Sequence, residues 1–127
     1  MQKSTAISIT IDDVELKAEL NDSPSAAALA ERLPATLSLS RWGDEYYGSC
    51  GVQIAQDDSA REIMEVGELA IWPPGSAFCI FFGPTPASSD NKPRAASPVN
   101  PIGRLLDNPE PLKNLGSSIS ASVTLAE

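Results

Sequence analysis

The most informative absence in this 127-residue sequence is histidine, of which the chain has none. This absence excludes a Ser-His-Asp triad, a Cys-His dyad and a zinc site with imidazole ligands. Basic residues are also few, since 9 Lys and Arg stand against 17 Asp and Glu and the formal net charge is −8. Such an acidic chain is poorly suited to bind a nucleic acid or an anionic membrane surface.

Long apolar runs are missing as well. The longest covers residues 77–82, far short of the roughly 20 residues that span a bilayer. Residues 1–10 contain no apolar signal segment, so we expect a cytoplasmic protein without a membrane anchor. Without an export signal the two cysteines are expected to be reduced thiols. They lack the Cys-x-x-Cys spacing that favours a redox or metal site, and the sequence predicts no metal and no cofactor. Cys79 lies in an apolar run and should be buried, whereas Cys50 lies in a flexible loop beside glycine and serine and is expected to be an exposed thiol.

What the chain contains is the composition of a folded protein, with 42% hydrophobic and 20% charged residues. Its length predicts a single domain over residues 1–127. Alternating apolar residues predict a β-hairpin over residues 7–20, with a turn at Asp12-Asp13 in which Asp13 suits a left-handed conformation. A short helix is predicted from Pro24 to Pro34, capped by Asp22 or Ser23.

Further alternation predicts strands over residues 36–42 and 118–125, and residues 68–72, 77–82 and 102–106 are also predicted to be strands. In the last strand the residues that should face inward are Ile119, Ala121, Val123 and Leu125. Segment 77–82 is apolar on both faces and should be central. Residues 48–61 and the proline-rich segment 83–101 are expected to be loops, and 109–115 a turn or short helix. Seven or eight short strands with one or two short helices favour a mainly β fold, preferably a closed barrel without free edges.

Several stretches, taken in order, resemble the small bacterial and archaeal cyclophilin-like proteins. These stretches are residues 20–26, 33–34, 42–47, 66–75, 78–86 and 101–103. The most specific are Trp-Pro-Pro-Gly at residues 72–75 and Phe-Phe-Gly-Pro-Thr-Pro at residues 81–86. The resemblance implies a closed, cyclophilin-like β-barrel of about eight strands. No established biochemical role comes with this family.

The better-known cyclophilins are proline isomerases, and their catalytic signature runs Phe-His-Arg, then Gly-Phe and Gln-Gly-Gly. None of these segments occurs in this sequence, so no catalytic residue is carried over. The resemblance therefore implies a fold, and it leaves proline or peptide binding as a hypothesis.

Aromatic and charged residues near the predicted turns are the candidates for a binding site. In an extended segment Glu45 and Tyr47 share a face, so they either present a carboxylate and a phenol to a ligand or form a solvated hairpin edge. Trp72 and the phenylalanines after it either line an apolar groove or belong to the core. Arg41 interrupts the alternation, which indicates a bulge, a ligand contact or an internal salt bridge to Glu45.

Two hypotheses about function follow, from different classes. The first is a binding module for a small molecule or a proline-containing peptide, with contacts from Arg41, Trp42, Glu45, Tyr47, Trp72, Phe82, Pro84 and Arg104. The second is a weak peptidyl-prolyl isomerase in which Arg41 or Arg104 is the cation beside the amide nitrogen. Such an enzyme would lower a rotation barrier of roughly 20 kcal/mol. A subunit-like role through an exposed strand is a third possibility, and the sequence does not fix the oligomeric state.

Overall fold

Nine strands, one α-helix and two short 3₁₀ segments make up residues 5–126, the part of the chain that the computed structural model describes. In chain order they are β1 (Thr5–Ile11), β2 (Val14–Leu20), α1 (Pro24–Ala30), β3 (Ala35–Arg41), β4 (Glu45–Ser49), β5 (Arg61–Ile63), β6 (Glu68–Trp72), a 3₁₀ turn (Pro73–Gly75), β7 (Ala77–Phe81), β8 (Arg94–Leu105), a second 3₁₀ segment (Glu110–Asn114) and β9 (Ser118–Leu125). The fold is mainly β, as the sequence predicts. None of the helices in this range has the length and apolar character that crossing a membrane requires.

The strands form one sheet whose pairing order returns to its start. The order is β2-β1-β9-β3-β4-β7-β6-β8, β5 pairs with β8 as a ninth strand, and β8 also pairs with β2. The β2–β8 pairing aligns Ala18 with Leu105 and Leu20 with Gly103. The two strands at the ends of the order therefore cover each other's edges at these residues.

The first hairpin and the helix form for the local reasons that the sequence indicates. Ser23 caps α1, because its hydroxyl oxygen accepts a hydrogen bond from the Ala26 N–H at 3.2 Å, and Pro24 occupies the first turn. In the hairpin turn, however, Asp12 and not Asp13 has a positive φ, of 52°. Aspartate tolerates this conformation because its short polar side chain can bond locally.

Strands β6 and β7 carry a hydrophobic core on each face. The larger one, the ring core, gathers buried side chains from most strands of the sheet and from α1. The smaller one, the flank core, consists of Met64, Ala70, Cys79, Phe81, Ala95 and Val99, with Trp72 packed against it. Along β7, Phe78 and Ile80 belong to the ring core and Cys79 and Phe81 to the flank core. This division explains why segment 77–82 is apolar on both faces.

The main correction to the predicted fold concerns the proline-rich segment 83–101, which is not a continuous loop. Strand β8 begins inside it, at Arg94, and contains Pro98 and Pro101. The pairings of β8 with β5 and with β6 each shift register, and such irregularities are where a sheet tolerates proline. The first half of β8 brings Ala95 and Val99 to the flank core.

Two smaller expectations are also wrong. Cys50 is buried, and its thiol donates a hydrogen bond to the Ser76 carbonyl oxygen at 3.3 Å. A neighbouring glycine and serine do not keep the thiol exposed, because the loop packs against the turn after β6. Leu125 is exposed and does not face inward, because it is the last residue of β9.

The β2–β8 pairing should depend on Gly103. A Cβ added there would lie 2.1 Å from the Glu19 carbonyl oxygen and 2.9 Å from the Leu20 Cα, so the two strands would have to separate. We expect Gly103→Ala to lower the free energy of unfolding by about 1–3 kcal/mol, measured by chemical denaturation. Gly116→Ala is the matched control, because no atom lies within 4 Å of a Cβ added there. Equal stability of the two variants would contradict the tight β2–β8 contact.

Candidate functional site

A cavity of about 280 Å³ lies beside the flank core, and we call it the tryptophan cavity. Its lining residues come from β4, β6, β7, β8 and the turn before β4: Trp42, Glu45, Tyr47, Trp72, Cys79, Ala95, Ala96 and Val99. Both tryptophans of the chain are among them. The volume is close to the lower end of the range for small-molecule sites.

Strand β4 supplies the carboxyl group and the phenol of the cavity. Glu45 and Tyr47 share one face, as predicted, while Tyr46 between them belongs to the ring core. Tyr47 pairs directly with Cys79 of β7. Glu45 is 5% exposed and Tyr47 is 38% exposed. The carboxyl group therefore lies deep in the cavity and the phenol nearer its mouth.

A tight turn between β3 and β4 places Trp42 next to Glu45. The Trp42 N–H donates to the Glu45 carbonyl oxygen at 2.8 Å, and the Glu45 N–H donates back to the Trp42 carbonyl oxygen at 3.2 Å. Gly43 in this turn has a φ of 62°. A Cβ on it would lie 2.7 Å from the Pro86 Cδ. Glycine thus allows the turn to pack against the segment that follows β7.

Three of the predicted contact residues support this turn and do not line the cavity. Arg41 donates from Nε to the Gly43 carbonyl oxygen at 2.7 Å and from Nη2 to Asp44 Oδ1 at 2.8 Å. The Phe82 N–H donates to the Asp44 carbonyl oxygen, and the Asp44 N–H donates to the Pro84 carbonyl oxygen, both at 2.9 Å. Arg41, Phe82 and Pro84 therefore hold the turn in position from the side that does not face the cavity.

The salt bridge predicted between Arg41 and Glu45 does not form. The Arg41 side chain lies on the face of the sheet that packs into the ring core. Its Cζ is 5.9 Å from the centre of the Tyr46 ring and 5.1 Å from the centre of the Phe82 ring. Glu45 points to the opposite face of β4, so the two side chains are separated by the sheet. Arg104 also lies outside the lining, where its mostly exposed side chain pairs with Glu19 at 3.0 Å.

The opposite wall of the cavity consists of Trp72 and the first half of β8. The Trp72 indole Nε1–H donates to Ser97 Oγ at 2.6 Å, and its six-membered ring packs against Gly75. The Thr85 hydroxyl donates to the Arg94 carbonyl oxygen at 2.5 Å and so joins the segment after β7 to the start of β8. These bonds hold β8 in place beside the indole.

The electrostatic feature of the cavity is Glu45. Burial raises the pKa of its carboxyl group to about 7, and the neighbouring Cys79 thiol offsets a smaller part of that effect. Burial, together with the neighbouring Glu45, raises the pKa of the Cys79 thiol well above its usual value. Within residues 5–126 no fully enclosed polar side-chain atom lacks a hydrogen-bond partner. Among these residues neither Glu45 carboxyl oxygen has a hydrogen bond, so both must keep some surface open to the cavity, while the Cys79 thiol donates to the Ala77 carbonyl oxygen.

The sequence identifies four of the lining residues, and four more line the cavity that it does not indicate as contacts: Cys79, Ala95, Ala96 and Val99. The alternation of Cys79 with Phe78 and Ile80 is a signal that places its side chain on the face opposite to theirs. The three β8 residues lie in the segment predicted to be a loop, and small apolar side chains carry no chemical signal of their own. In the described part of the chain, no group of three Cys, Asp or Glu side chains is arranged to hold a metal ion.

Comparisons with known proteins extend over nearly the whole chain. A family model described as Cyclophilin-like matches residues 5–124. The chain is also similar to a hypothetical protein from Archaeoglobus fulgidus whose solution structure is known, with 36% identity and a TM-score of 0.83 over 99% of this chain and 98% of that one. None of the curated proteins matches. The two matches therefore concern the complete fold and not one motif.

Replacing Glu45 by glutamine removes the buried acid and keeps its shape. Because the folded protein has a pKa of about 7 here against an ordinary 4.5, it binds this proton more tightly than the unfolded chain and loses stability as the pH rises between these values. We expect Glu45→Gln to match the parent below pH 4.5 and to be more stable above pH 7, by at most roughly 3 kcal/mol. Chemical denaturation across this pH range measures the difference.

Glu31→Gln is the matched control, because Glu31 is exposed at the end of α1. Its stability relative to the parent should not increase with pH as that of Glu45→Gln does. A constant difference for both variants would mean that burial does not favour the neutral form of Glu45.

A second substitution tests whether Arg41 supports the turn. Lysine keeps the charge but cannot reproduce the four hydrogen bonds of the guanidinium group. We expect Arg41→Lys to lower the free energy of unfolding by about 1–3 kcal/mol. Arg104→Lys, where the arginine side chain is 67% exposed, should cost less than about 1 kcal/mol. Equal losses in denaturation experiments would contradict the supporting role of Arg41.

Proposed function

We propose that this chain, which belongs to the cyclophilin-like family, is a binding module that holds a small molecule or a short peptide in the tryptophan cavity. The observation that carries the proposal is the lining, in which three aromatic side chains and one buried carboxyl group surround about 280 Å³. Apolar walls with a few converging polar groups are typical of small-molecule sites. The volume suits a compact molecule or a single side chain of a peptide.

The rigidity of the walls supports the same proposal. Trp72 is tied to Ser97 of β8 by its indole N–H, and Trp42 is held by two backbone hydrogen bonds to Glu45. Arg41 supports the turn between Trp42 and Glu45 through its bonds to Gly43 and Asp44. Because these groups are fixed by the fold, less conformational freedom is lost when a ligand binds.

We also propose that the ring of paired strands is the closed barrel of the cyclophilin type. The β2–β8 pairing and the single large core that the strands share support this interpretation. On this view the interior is filled by side chains such as Tyr46, Phe78 and Phe82. The tryptophan cavity then lies on the outer wall, beneath the first half of β8.

The alternative function, a weak peptidyl-prolyl isomerase, stays a prediction. It requires a cation beside the imide nitrogen, yet Arg41 and Arg104 are paired with Asp44 and Glu19. None of the lining residues described for the cavity is Lys or Arg. Xaa-Pro peptides still belong in a binding screen, because an aromatic-lined cavity accepts a pyrrolidine ring. Exchange cross-peaks between their cis and trans signals would establish isomerase activity, and binding without exchange would favour the binding module.

The two tryptophans allow the binding of a compound in the cavity to be followed directly. Both line the cavity, and the chain has no others, so indole fluorescence and the two indole N–H signals in NMR spectra report on this site alone. We expect some compounds of a small-molecule and peptide panel to shift both indole signals in a saturable way. If no member of the panel does so, the proposal is wrong.

Ala96→Leu tests whether such a compound occupies the cavity. Ala96 is exposed at the rim, so leucine should narrow the opening without disturbing either core. We expect the affinity of a compound that shifts both indole signals to fall by about tenfold or more. Ala27→Leu is the matched control, because Ala27 is exposed on α1, away from the cavity. Unchanged affinity in Ala96→Leu would mean that the compound binds elsewhere.

A further inference from the structure

Glu45 differs from every other buried polar residue in the described part of the chain. The others are Ser8, Ser25, Thr85 and Asn100, and each has a hydrogen bond to an oxygen or nitrogen atom of the protein. Among residues 5–126, the Glu45 carboxyl group accepts no hydrogen bond, and the neighbouring Cys79 thiol, itself a weak donor, bonds instead to the Ala77 carbonyl oxygen at 3.9 Å. A buried carboxylate is normally accompanied by a cation or by several donors. The fold therefore places an acid in the cavity without giving it a strong partner.

The surroundings of Glu45 suit a positive charge. Trp42, Tyr47 and Trp72 line the cavity, and aromatic rings, tryptophan above all, attract cations through the negative potential of their faces. The guanidinium groups next to the lining residues in the sequence are already paired, Arg41 with Asp44 at 2.8 Å and Arg94 with Glu62 at 3.0 Å. The formal net charge of −8 adds a general attraction for cations.

We propose that the tryptophan cavity binds an organic cation, an amine or a quaternary ammonium group, with the Glu45 carboxylate as its counter-ion and the aromatic side chains as its walls. This inference rests on the proposed function and names the chemical class of the ligand. A volume of about 280 Å³ admits a compact cationic group. The low dielectric of a buried site strengthens the attraction between the two charges.

The titration of Glu45 gives the proposal a measurable property. Its pKa is raised to about 7 by burial, so a cation that requires the ionised form should bind more tightly as the pH rises through this value. A quaternary ammonium ion has no proton to lose, so its pH dependence reports on the protein. The other titratable groups of the lining are the Cys79 thiol on β7 and the Tyr47 phenol on β4, while the lining residues of β6 and β8 contribute none. Burial raises the pKa of the Cys79 thiol well above its usual value, so this thiol stays neutral.

Choline and its uncharged analogue, in which carbon replaces the nitrogen, are a matched pair of probes. Each is titrated into the full-length protein at about pH 8.5 and about pH 5.5 while the two indole signals are followed. We expect choline to bind about tenfold or more tightly than the analogue at the higher pH. Its affinity should fall by about tenfold or more at the lower pH. The neutral analogue should bind equally at both.

Glu45→Gln assigns these effects to one side chain. This variant should lose both the preference for choline and its pH dependence, so that it binds choline and the uncharged analogue with similar affinity at both pH values. Glu31→Gln carries the same change in net charge on an exposed residue and should bind choline like the parent. If both variants lose choline binding equally, the general negative charge and not Glu45 attracts the cation, and the inference is overturned.

The same titrations separate this inference from the proposed function. Equal affinity for choline and the analogue would overturn the cation inference and still support a small-molecule site in the cavity. No response to choline would also overturn it. The proposed function fails only when the wider panel finds no compound that shifts the indole signals.

Discussion

Both faces of β7 are apolar, and the remaining structure depends on how the chain covers them. One face packs into the ring core, and the other needs a second layer, which Met64, directly after β5, and the first half of β8 supply. This layer is small, and it does not extend over the neighbouring part of β4. The tryptophan cavity lies at its margin, between Tyr47 on one side and Trp72 on the other. The candidate site is therefore a consequence of an incompletely covered sheet face.

The charged residues around this margin divide into two groups by the face on which they lie. Arg41 and Asp44 bond to each other, and Arg41 also bonds to backbone carbonyl groups behind the turn, including those of Lys113 and Leu115. Glu45, one position after Asp44, points through the other face into the cavity. Arg41, Asp44 and Glu45 thus serve the scaffold, the turn and the site, respectively.

The sequence predicts the elements whose own residues carry a clear local pattern. The first hairpin and β9 follow from alternation, because a half-buried strand repeats every two residues, whereas β6 and β7 follow from short apolar runs and α1 from its cap. Strand β8 does not, since its prolines are tolerated only through register shifts with partners distant in the sequence. The same limit applies to the site: Trp42, Glu45, Tyr47 and Trp72 carry recognisable chemistry, whereas the faces on which Arg41, Phe82 and Pro84 act depend on tertiary packing.

This chain has no histidine, the side chain that usually titrates near neutral pH. A carboxyl group can titrate in the same range when burial raises its pKa. The burial that raises the pKa of Glu45 to about 7 favours its neutral form when no cation is close. The same low dielectric would make the ionised form attract a cation strongly. Binding of a cation would then be coupled to release of the Glu45 proton. The depth of Glu45 below Tyr47 would therefore determine both the affinity for the cation and the pH above which the cation binds.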